Sequence, residues 1–167
     1  ALALANLIAE GHTSGNLSTG NTGISALARY TGARPQPPTD RCLITLHRRE
    51  WLLGPHFLDV LTALREAVAD AVPAKFVWPI HPAVQHLLPQ RWTDTLPGNL
   101  GLILPTPYEQ TVSMLASSFG VLTDSGGLQE EAAALGVPCV VLRNVLDRPE
   151  SVDEGIARRC DVTPDGV

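Results

Sequence analysis

From residue 42 onward, short β-rich apolar runs alternate with longer stretches whose apolar residues recur every three or four positions, and few architectures accommodate that rhythm. Residues 42–47 predict a strand. Residues 54–72 predict a helix that carries Phe57, Leu61, Leu64, Val68 and Ala71 on one face. Strands are then expected over 75–80, 99–104, 119–123 and 139–143, with helices over 83–88, 108–117 and 127–135 between them. Alternation of this kind builds a parallel sheet with right-handed crossovers and helices on both faces. The expected fold class is therefore α/β: an open, doubly wound, Rossmann-like domain.

Residues 1–38 fit that rhythm less well. They read as a short apolar helix, a second helix near 23–30 capped from Gly20-Asn21-Thr22, and the linker-like Pro35-Gln36-Pro37-Pro38. The expected division is thus 1–38 as helices and linker joining two domains, and 39–167 as the Rossmann-like domain. A chain that opens in mid-helix without Met is expected to be a fragment.

Composition narrows the function classes. A chain of 167 residues can bury roughly two thirds of its unfolded surface. A formal charge of −5 argues against nucleic-acid or anionic-membrane partners, so an anionic ligand has to be held by local groups. Cys42, Cys139 and Cys160 are odd in number and lack C-x-x-C spacing, the usage of a reducing cytoplasm. The apolar start is too short to span a bilayer and has no basic flank like that of a signal peptide.

The segment Leu122-Thr123-Asp124-Ser125-Gly126-Gly127 runs from a strand end into a helix start. Paired glycines let a backbone come close to a ligand, and the first N–H groups of the helix have no intrahelical acceptor, so they suit phosphate oxygens. Glu131, one turn on, suits ribose hydroxyls. The competing reading is a tight corner with Asp124 as helix N-cap.

Ligands of open α/β sheets bind beyond the carboxyl ends of the strands. There this chain places His47-Arg48-Arg49-Glu50, His81, Pro105-Thr106, the glycine turn, and Arg143 with Arg148 five residues on. Two or three guanidinium groups facing a glycine turn are what a diphosphate needs, because Arg grips oxyanions in a planar fork. The turn is not G-x-G-x-x-G, there is no G-x-x-x-x-G-K-[ST], and Ser125 lacks a G-x-S-x-G elbow. The histidines show no metal-ligand spacing with Cys or carboxylates, so no metal and no other cofactor is expected. Of the tryptophans, Trp78 reads as core and Trp92 as loop packing, and none suits base stacking.

Thr45-Leu46-His47-Arg48-Arg49-Glu50, Pro105-Thr106-Pro107-Tyr108, the run from Leu122 to Ala132, Leu142-Arg143 and Arg148-Pro149-Glu150 together resemble the non-hydrolysing UDP-N-acetylglucosamine 2-epimerases. Order and spacing run in step over about residues 19–155. That resemblance implies one half, the second and nucleotide-binding one, of a two-domain glycosyltransferase B type fold. It implies interconversion of UDP-N-acetylglucosamine and UDP-N-acetylmannosamine by elimination of UDP and its re-addition, in the cytoplasm. Carried position by position, it puts Ser125, Gly126 and Gly127 at the diphosphate, Glu131 on the ribose, Thr106, Arg143 and Arg148 at the UDP, and His47 at the phosphates or reacting sugar as the catalytic residue of this half. Arg48 and His81 match positions that in bacterial members touch an allosteric UDP-N-acetylglucosamine.

The partners implied are UDP and a UDP-N-acetylhexosamine, the missing first domain with the catalytic carboxylates, and a second copy as homodimer. The fragment alone is expected to be inactive. Three departures stand out: Trp51 where the family usually has Asn, a shortened His81-Pro82-Ala83, and Thr111 where an aromatic residue stacks on uracil. The alternatives are the donor-binding half of a glycosyltransferase and a non-catalytic nucleotide-sugar-binding module.

Overall fold

A computed structural model describes residues 2–31, 39–146, 149–163 and 165. Two helices come first, α1 (Leu2–Ala9) and α2 (Thr22–Thr31). As expected from Gly20-Asn21-Thr22, the Asn21 side chain opens α2 by accepting from the amides of Gly23 and Ile24. The Pro-rich linker lies outside the described residues.

The alternating region then runs β1 (Arg41–Thr45), α3 (Arg49–Leu52), α4 (Phe57–Asp70), β2 (Lys75–Pro79), α5 (Pro82–Gln85), α6 (Gln90–Thr93), β3 (Leu100–Ile103), α7 (Tyr108–Ser117), β4 (Gly120–Thr123), α8 (Gly126–Leu135), β5 (Cys139–Leu142), α9 (Glu150–Asp153) and β6 (Ala157–Cys160). The strands form one sheet in the order β3-β2-β1-β4-β5-β6, and every neighbouring pair is parallel. This is the doubly wound, Rossmann-like architecture. Its order reverses between β1 and β4, the pair joined in register from Cys42 and Gly120 to Thr45 and Thr123.

Side-chain alternation along the strands sends residues to two cores. Ile44 and Trp78 pack with Leu61, Leu64 and Val68 of α4, which belong to the stripe read from the sequence, and with Val60, which does not, while Leu43, Val121 and Val141 pack with Leu115 of α7 and Ala132 of α8. Helix α2 lies against α7 and α8. Helix α8 stops at Gly136, whose φ of 69° is the left-handed conformation favoured at a helix end.

The structure differs from expectation in particular places. Strand β1 ends at Thr45, two residues early, because the amides of His47 and Arg48 turn to a side chain instead of the ladder. The expected helix over 83–88 is the single turn α5, and the loop after it holds α6. Trp92 belongs to the core: it is buried, and its indole donates to the Leu61 carbonyl at 3.0 Å. Elements α3, α9 and β6 have no counterpart in the expected series. No helix among the described residues is long and apolar enough to cross a membrane.

Candidate functional site

The crevice at the switch point opens where β1 and β4 end, and two loops enter it: His47-Arg48 from β1 and Asp124-Ser125-Gly126-Gly127 from β4. The last residues of the strands are tied by a 2.7 Å hydrogen bond between the hydroxyls of Thr45 and Thr123. Thr123 Oγ1 also accepts from the Ser125 amide at 3.0 Å. The turn is thus held from the sheet side.

Ser125, not Asp124, is the N-cap of α8. Its side chain accepts from the Leu128 amide at 3.4 Å, and its extended backbone is that of a cap. Gly126 and Gly127 form the first turn, where the amides find no carbonyl within the helix. Among the described residues, a β-carbon built on Gly127 would meet only Ser125 Oγ at 3.9 Å, ordinary contact. Protein packing therefore does not demand glycine there. Gly127 is exposed at the helix start, whereas Gly126 is buried.

Asp124 is fully buried and has a different task. Its Oδ2 accepts from the amides of His47 and Arg48, both at 2.6 Å, and from the indole N–H of Trp51 at 2.9 Å. Its Oδ1 lies 3.2 Å from His47 Nδ1. One carboxylate thereby fastens the loop after β1 to the turn after β4. Trp51 is buried and supplies one of these donors.

His47 is partly exposed, and its ring stacks on that of His81 with centroids 5.5 Å apart and planes 29° apart. His81 caps α5 through Nδ1, which accepts from the Ala83 amide at 3.1 Å. Arg48 is half-buried at the cap of α3. The ends of β1, β2 and β4 are joined through His81, His47 and Asp124.

The ends of β3 and β5 are linked to the same edge by other contacts. At the start of α7, the Tyr108 hydroxyl donates to Glu131 Oε1 at 2.7 Å, while Tyr30 of α2 stands edge-on to the Tyr108 ring at 5.4 Å. Glu131 is buried, and Oε2 has no hydrogen-bond partner among the described residues. Burial pushes its carboxyl pKa above the ordinary value, against the opposing hydrogen bond from Tyr108. The Tyr108 hydroxyl is itself pushed up to about 12, by desolvation first and then by Glu131. Arg143, after β5, is buried and pairs with Glu50 at 2.8 Å. Thr106 is half-buried and shares a 2.8 Å hydrogen bond with Thr111. Arg148 lies outside the described residues.

Sequence reasoning thus located His47, His81 and the glycine turn on one edge, and the structure brings them together. It missed Asp124 as a buried clamp, Trp51 as its donor, and Tyr108 as the partner of Glu131. A buried polar residue flanked by turn residues was the available signal for Asp124; nothing local marks the other two.

The family model for UDP-N-acetylglucosamine 2-epimerase matches residues 2–167. The UDP-N-acetylglucosamine 2-epimerase of Campylobacter jejuni is 34% identical, the match covering 92% of this chain and 45% of that protein. The Bacillus subtilis enzyme of that name is 36% identical over 82% of this chain and 38% of its own length. A Methanocaldococcus jannaschii UDP-GlcNAc 2-epimerase, solved in complex with UDP-GlcNAc and UDP, superposes with a TM-score of 0.84 at 25% identity, covering 99% of this chain and 49% of that one. The chain spans about half the length of the relatives it matches. With its parallel sheet, its switch-point glycine turn and a family match along nearly its whole length, the chain belongs to the UDP-N-acetylglucosamine 2-epimerase family.

Proposed function

We propose that this chain is the UDP-binding half of an epimerase that interconverts UDP-N-acetylglucosamine and UDP-N-acetylmannosamine, with residues 39–167 as the nucleotide-binding domain and 1–38 as the joint to a first domain. The observation that carries the reading is the start of α8 at the switch point, where a β-carbon on exposed Gly127 would meet no crowding and Asp124 ties the turn to His47. Such a helix start holds a diphosphate, since its free N–H groups and its dipole favour negative charge. Glu131 Oε2, buried and in need of a donor, suits a ribose hydroxyl.

In the proposed reaction the C1–O bond of the sugar breaks, its electron pair leaves with UDP, and a base takes the C2 proton. Re-addition of UDP with the proton returned to the opposite face gives the epimer. This half supplies stabilisation of the leaving diphosphate, through the turn, His47, Arg143 and Arg148. The groups that exchange the C2 proton belong to the first domain. The chain alone therefore binds UDP without turning over its sugar, and it acts as a cytoplasmic protein.

Calorimetry with UDP tests the reading on the intact chain and on Glu131→Ala and Arg148→Ala. Saturable binding that weakens in both variants is expected. Absence of binding in the intact chain, or two variants that bind like it, would overturn the assignment.

A further inference from the structure

We infer that Asp124 is a positioning residue: it fixes His47 as the tautomer protonated on Nδ1, so that Nε2 is the nitrogen presented to an oxyanion in the crevice. The inference deepens the UDP-binding reading and rests on it for the identity of the oxyanion. The tautomer itself does not.

Both oxygens of Asp124 are accounted for differently. Oδ2 is committed to three donors, the amides of His47 and Arg48 and the Trp51 indole. Oδ1 is buried, and no well-aligned hydrogen bond reaches it among the described residues, although His47 Nδ1 stands 3.2 Å away. A buried carboxylate oxygen left without a donor is costly, so a proton on the facing Nδ1 is strongly favoured over a lone pair there. An unprotonated Nδ1 would set its partial negative charge 3.2 Å from that of Oδ1, which a proton on Nδ1 relieves. The same carboxylate holds the His47 backbone, so ring and main chain are fixed by one group.

The neighbouring imidazole is set the other way. His81 Nδ1 accepts from the Ala83 amide, which puts its proton on Nε2. Two stacked rings therefore carry opposite tautomers, each determined by a contact at its own Nδ1. With Nδ1 occupied, His47 Nε2 accepts a hydrogen bond when the ring is neutral and donates one to a phosphate oxygen when it is protonated. An Asp-to-Asn change behind a histidine keeps the shape of such a pair but reverses the tautomer, because the amide then donates where the carboxylate accepted.

Long-range proton–nitrogen NMR on the intact, histidine-labelled chain decides the matter, with the His47 signals assigned from His47→Gln. Wild-type His47, observed in its neutral form, is expected as the Nδ1–H tautomer and His81 as the Nε2–H tautomer. A His47 that averages like free imidazole, or that carries its proton on Nε2, would overturn the proposal, whatever any variant does. Asp124→Asn is expected to move His47 to the Nε2–H form, while Trp51→Phe, which leaves Oδ1 untouched, keeps the wild-type form. A wild-type pattern in folded Asp124→Asn would likewise refute it. A tautomer that behaves as described in a chain that ignores UDP would instead refute the UDP reading alone.

Discussion

Replacing Trp51 by Phe removes one donor from the Asp124 clamp and shrinks the ring that packs on Phe57. The indole is buried, and its N–H reaches Asp124 Oδ2 at 2.9 Å. The two amides that remain on that oxygen, each at 2.6 Å, keep the carboxylate solvated by protein. A hydrogen bond to a charged group contributes about 1.5–3 kcal/mol. The smaller ring also leaves a void against Phe57, whose ring centroid lies 5.4 Å from that of Trp51, and a void of methyl size or more costs about 1 kcal/mol.

Together these give a loss of about 2.5–4 kcal/mol, which for a chain of this length lowers Tm by roughly 5–16 °C. Urea unfolding followed by circular dichroism measures it, with an unchanged m value showing that the denatured state is not what moved. Asp124→Asn and the double variant complete a cycle. If the indole acts through Asp124, the two losses fall short of additivity by about 1 kcal/mol or more. A Trp51→Phe loss within about 0.5 kcal/mol, the range of an ordinary surface substitution, or strict additivity, would refute the clamp.

Two further outcomes follow from buried groups. Because burial raises the Glu131 carboxyl in the folded chain, the native state holds that proton more tightly than the unfolded one, and stability is lost as pH rises from the ordinary carboxylate range through the raised value. Glu131→Gln should therefore be more stable than wild type at pH 7, with the gap closing below about pH 4; an equal gap at both pH values in urea titrations would contradict this. Burial pushes the thiols of Cys42 and Cys139 up to about 11 and about 12, whereas Cys160 is half-buried. A disulfide reagent at pH 8 should modify Cys160 first and the other two only on unfolding, as mass mapping of the labelled cysteines will show.

How much of this was legible in the chain depended on the range of the interaction. The α4 stripe of Leu61, Leu64 and Val68 and the strands from β1 to β5 are local patterns, and they stood out in the sequence. Strand β6 did not, because Ala157-Arg158-Arg159-Cys160 is an edge strand whose two arginines remain exposed, with no apolar alternation to display. Asp124 could be read from its neighbours as a cap or as part of a turn. Its actual donors lie 73 to 77 residues away, where local propensity carries no information. Glu131 could be placed one turn into α8 from the sequence, yet its tie to Tyr108 needed the packing of α7 against α8.

The contact between Tyr30 and Tyr108 has a mechanical meaning. Helix α2 touches the Tyr108 ring, and Tyr108 in turn holds Glu131 by its hydroxyl. Two contacts thus separate α2 from the buried Glu131 carboxylate. A displacement of α2 would therefore be felt at the Glu131 carboxylate through the Tyr108 ring.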